Sequence, residues 1–77
     1  MLDFKLMELF GDGRVTAWGV YGFRVVPHVG EHIEVQRAGQ AQVYVVRAVV
    51  HRSGAKDVVG DLIVQHCAVA RDFHTTL

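Results

Sequence analysis

His28 and His32 bracket Val29-Gly30-Glu31, a His-x3-His spacing with a carboxylate inside it. Imidazoles and a carboxylate, with His51 or His66 joining from a neighbouring strand, would hold zinc with an open position. A helix would put residues i and i+4 on one face, but Pro27 and Gly30 oppose a helix here. The plainer reading is two surface histidines at a turn. His66-Cys67 sets a base beside a thiol. Neighbours in a strand point to opposite faces, so these two cannot bond side chain to side chain as a nucleophile and its base would. Cys67 reads as a small core residue. The chain has no Gly-x-Ser-x-Gly and no phosphate loop, and Gly11-Asp12-Gly13 is hairpin chemistry, too short to cradle a phosphate. Trp18, Tyr21, Phe23 and Tyr44 form an aromatic set. Barrels that bind single-stranded nucleic acid stack bases on such residues. Otherwise two or three of the set are core and the others mark an interface.

Charge weighs against the nucleic-acid reading. Eight basic residues balance eight acidic ones in 77 residues, and the arginines are dispersed along the chain. A phosphate binder carries a basic excess that releases counterions. The five histidines add charge only at mildly acid pH. One cysteine excludes an internal disulfide, and no Cys/His pair has structural-zinc spacing. No cofactor is expected. Asp3 and Glu8 interrupt the first apolar residues, so no secretory leader is expected, and no segment approaches the roughly 20 apolar residues of a membrane span. The single thiol fits a reducing cytoplasm, which is the expected location.

The elements that position these residues are strands within one domain, 1–77. Val43–Val50, VYVVRAVV, is β-branched and apolar on both faces apart from Arg47. Such a strand is central in a small core, or has its outer face covered by a partner. Met1–Phe10 fits a strand through Leu2, Phe4 and Leu6, and also a helix capped by Asp3 and stopped at Gly11. The glycine turn after it favours the strand. Arg14–Val20 returns as the second strand, Phe23–Val26 is extended, and Pro27–Gly30 turns. Glu31–Gln36 alternates with Ile33 and Val35 inward, and Arg37–Gln40 makes a short hairpin. Ser53–Asp57 is a polar loop, Val58–Cys67 the last long strand, and Arg71–Leu77 a polar tail whose order, fixed or disordered, the sequence leaves open. Five or six short strands of this kind imply an all-β fold, an antiparallel meander curled into a small barrel. Val45, Val49, Ile33, Val35, Ile63 and Val64 are the expected core.

The run VPHVGEHIEV, a hairpin, VYVVRAVVH, a polar loop and LIVQ resembles the V-P-x-x-G-[DE]-x-[IV] pattern of small uncharacterised bacterial β-barrel proteins. It is similar to SH3-like barrels in general and to products of mobile gene cassettes in style. The resemblance covers Val26 to Gln65 and implies an SH3-like barrel without implying chemistry. The resulting expectation is a non-enzymatic module that oligomerises, as a dimer or tetramer, or binds a small ligand. Its interface or ligand surface is expected at Trp18, Tyr21, His28, His32, Tyr44, Val46 and Val50. A single-stranded nucleic-acid-binding barrel is the alternative, and a histidine-based metal site or hydrolase the third. No membrane partner is expected.

Overall fold

The structure is a computed structural model that describes residues 1–54 and 58–75. Residues 55–57 of the expected polar loop and 76–77 of the expected tail lie outside the described residues. The chain runs β1 (Leu2–Leu9), β2 (Val15–Phe23), β3 (His32–Arg37), β4 (Gln40–His51), β5 (Gly60–Val69) and α1 (Ala70–Thr75). Leu2–Leu9 is thus a strand rather than a helix, and the tail begins as helix α1.

One five-stranded sheet is formed, in the order β2-β1-β5-β4-β3. It is mixed, not the purely antiparallel meander the sequence suggests, because β1 pairs parallel with β5 through Phe4↔Gly60, Leu6↔Leu62 and Glu8↔Val64. The physical reason is that the chain leaves β2 at one edge and re-enters as β3 at the other. The returning hairpin β3–β4–β5 then lays β5 beside β1, pointing the same way. Flat, the two edge strands would stand about 19 Å apart, four strand spacings. Yet the Arg37 guanidinium of β3 lies 3.8 Å from the Trp18 ring of β2. The sheet therefore curls into a half-barrel whose edges meet through side chains.

Phe4, Leu6, Ile33, Val35, Tyr44, Val46, Leu62 and Val64 fill the concave side. Ile33, Val35 and Val64 are buried as expected, but the faces of β4 are exchanged. Tyr44 and Val46 point inward, and Val45 lies outward opposite His32. A bulge at Arg47, which pairs with nothing while Val46 faces Val64 and Ala48 faces Ile63, then shifts the parity. Val49 thereby rejoins the inner side opposite Leu62. Ile63 faces outward for the same reason of parity, and its neighbours Leu62 and Val64 are the core residues. Gly60 allows β5 to start tight against β4: a Cβ there would run into the Val50 carbonyl.

Two turns set the entry to β3 and β4. Glu31 N donates to His28 O across 3.0 Å with Gly30 at φ 91°, the positive φ that a type II turn puts at its third residue. The β3–β4 hairpin closes with Ala38 at φ 52° and Gly39 at φ 78°, both positive as a two-residue type I′ loop requires. Helix α1 packs on β4 and β5 from the outer side. Its Phe73 ring lies 5.0 Å from the His32 ring. Beneath it Val43 is 3% exposed, although it faces away from the main core.

Candidate functional site

Polar and aromatic side chains concentrate at one mouth of the half-barrel. Trp18 is the bulged residue of β2, since Leu6 faces Gly19 and Met7 faces Ala17. A bulge re-aims the side chain it carries, and here it turns the indole onto the concave side. The Trp18 ring meets Tyr44 edge-on at 4.8 Å and Tyr21 at 6.1 Å. Tyr44 in turn meets His66 at 5.2 Å. His66 Nε2 donates to Gln42 Oε1 at 2.7 Å, and Gln42 Nε2 donates to Gln40 Oε1 at 3.2 Å.

Arg37 covers this row from the opposite edge strand. Its Nη1 is buried and has no hydrogen-bond partner among the described residues. The ring quadrupole of Trp18 is what faces the cation. Burial, together with the negative Glu8, raises the Tyr44 hydroxyl above its ordinary 10.0, against the opposing pull of Arg37. The arrangement seals the mouth. Tyr44 is 4% exposed, so its ring offers no free face to a base or ligand.

The structure splits the seven expected surface residues into three groups. Trp18, Tyr21, Tyr44 and Val46 belong to the concave side, with Val46 fully buried. Tyr44 and Val46 are thus core residues and not an exposed patch, because the parity of β4 is the reverse of the one expected. Val50 is 45% exposed on the outer side, opposite Asp61. His28 and His32 are exposed beside the β2–β3 crossover. There Phe23, Pro27 and Ile33, with Arg24, Glu31 and His32, line an open groove of about 220 Å³. Glu31 is already engaged: its Oε1 accepts from His28 N at 2.6 Å. Among the described residues no three His, Cys, Asp or Glu side chains converge as a metal-ligand set. Cys67 is exposed rather than core, as the unpaired residue of the second irregularity in the β4–β5 ladder, between Tyr44↔His66 and Val43↔Ala68.

Exposed apolar side chains lie both in the β2–β3 crossover, where Val25 and Val29 are 74% and 64% exposed, and on the outer side of the sheet. Strand pairing aligns Val20, Lys5, Asp61 and Val50 in one row, and Ala17, Met7, Ile63 and Ala48 in the next. The second row holds no polar side chain. Asp61 in the first is paired with Arg52 at 2.7 Å. Val15 and Val20, both on edge strand β2, are 44% and 57% exposed.

Arg37, Gln42 and Glu8 were not picked out from sequence. Their signal was parity alone, Arg37 being the next inward position after Ile33 and Val35. No helix among the described residues is long and apolar enough to cross a membrane. Compared with protein-family models, with curated proteins and with solved structures, the chain finds no match.

Proposed function

We propose that this protein is a non-enzymatic β-module whose activity is association with a second copy of itself, through strand β2. One observation carries the reading. β2, VTAWGVYGF, is a nine-residue edge strand without a charged residue, and it bears two of the chain's exposed valines. An edge strand leaves a row of backbone N–H and C=O groups unpaired, and monomers guard such edges with charge, proline, bulges or cover; β2 has the bulge at Trp18 and Arg37 over that indole, but neither charge nor proline. Zero net charge removes the long-range repulsion that would hold copies apart. A domain of this size draws only about 3–5 kcal/mol from its own core, so a partner is a substantial source of stability.

The concave aromatics favour this reading over a nucleic-acid barrel. A base-stacking platform needs free ring faces. Here Trp18 lies under Arg37, and Tyr44 lies between Trp18 and His66. The test is mass in solution by light scattering. Self-association gives a mass above the 8.6 kDa of one chain that falls on dilution. A mass of 8.6 kDa at every concentration up to about 1 mM, where only binding weaker than about 4 kcal/mol escapes detection, refutes it.

A further inference from the structure

We propose that the second copy joins edge to edge, β2 against β2, antiparallel about a two-fold axis, so that two five-stranded sheets become one continuous sheet. This rests on the self-association reading above and fixes its geometry. Two modes are open to β2: extension of the sheet from its edge, and packing of outer face on outer face.

The two edges of this sheet differ in kind. β3, HIEVQR, is six residues long and carries Glu34 and Arg37 as well as His32. Arg37 bends over the mouth and Phe73 packs on His32, so both side chains are committed. β2 is half as long again and carries neither charge nor proline. In an antiparallel self-pair each residue of the strand meets a residue of the same strand. Like charges set opposite one another destabilise such a pair, and β2 has none to oppose. The apolar side chains it offers on the outer face, Val15, Ala17 and Val20, gain cross-strand neighbours. A two-fold axis also closes the assembly, because it uses the edge of each copy that carries neither charge nor proline, although the Trp18 bulge and Arg37 over its indole restrict pairing at that point, and it leaves the two charged β3 edges outermost.

Face-on-face packing is the poorer fit. Lys5 and Asp61 lie in the Val20–Val50 row, beside the all-apolar row, and would be taken out of water with it. The outer side of a half-barrel is also convex, and two convex faces touch over a small area. A specific interface buries about 800 Å² per partner. The whole chain exposes 5070 Å².

Two substitutions at exposed sites on the same outer row separate the modes. Val20→Lys places a charge on the β2 edge, the device natural edges use against strand addition. Val50→Lys places the same charge on β4, three strands from that edge. Both variants are checked for native circular dichroism and followed by light scattering from about 1 mM to about 1 µM. The expected result is that Val20→Lys is monomeric throughout and Val50→Lys dimerises as the parent does. Hydrogen exchange then shows β2 amides protected in the parent and released in Val20→Lys, with β3 amides unchanged. Monomeric Val50→Lys, dimeric Val20→Lys, or protection gained on β3 overturns the edge geometry while leaving self-association standing. A parent that stays at one-chain mass overturns both.

Discussion

Arg37 and Trp18 hold the two edges of the sheet together without any backbone bond between β2 and β3, and their coupling has a measurable size. The guanidinium sits 3.8 Å from the indole and is partly buried. A cation over an aromatic face is worth about 0.5–1 kcal/mol when exposed and about 2 when desolvated, so about 1 kcal/mol is expected here. Arg37→Met alone will not reveal it. That change keeps the packing of the stem but also removes the buried Nη1, whose missing partner costs about 1 kcal/mol or more. The two effects offset, and the single variant should unfold within about 1 kcal/mol of the parent. Trp18→Leu loses about 2–3 kcal/mol, mostly from packing against Tyr44 and Tyr21. Only the double-mutant cycle isolates the pair. Urea unfolding is followed by far-ultraviolet circular dichroism, because Trp18 is the sole tryptophan and its fluorescence disappears with it. A coupling energy near 1 kcal/mol at unchanged m-value is expected. A value inside the roughly 0.3–0.5 kcal/mol that independent sites show would mean that the groups touch without holding the edges.

Val46→Asp should abolish folding, since Val46 is fully buried and an unpaired carboxylate there costs several of the roughly 4–12 kcal/mol available to a domain of this length; a native melting temperature would sink the core assignment. Ala38→Asn should raise the urea midpoint by about 0.5–1 kcal/mol in stability, because asparagine tolerates the positive φ of 52° better than alanine; no change would mean the loop relaxes freely. Gly30→Val should cost about 1 kcal/mol or more at φ 91°, read as a lowered denaturant midpoint, although space for the side chain is open. Tyr44 keeps its proton above pH 10.0 in the folded state, so the folded chain binds that proton more tightly than the unfolded one. Its contribution is therefore complete below pH 10 and lost as pH rises through the higher folded value, and Tyr44→Phe should flatten the fall in stability above pH 10.

What could be read from sequence follows the range over which each feature is determined. EHIEVQ alternates without ambiguity, and Ile33 and Val35 are buried as that pattern requires. The turn residues Gly30 and Gly39 likewise mark real turns, because positive φ is a local demand. VYVVRAVV names a strand but not its inner face, since both faces are apolar and the bulge at Arg47 exists only against β5. The parallel β1–β5 pair and the Trp18–Tyr44 contact are products of the curl, and no local pattern encodes them. The same holds for the surface on which the proposed function rests. The absence of charge in VTAWGVYGF is visible in the sequence, but in the middle of a sheet it would be unremarkable, as it is for the apolar run of β4. Strand order turns that run into an edge, and at an edge an uncharged strand has backbone groups with no strand partner among the described residues. The composition of β2 and its position are separately ordinary. Together they leave a bonding requirement that water or another strand must meet, and of the two only another strand also removes Val15, Ala17 and Val20 from water.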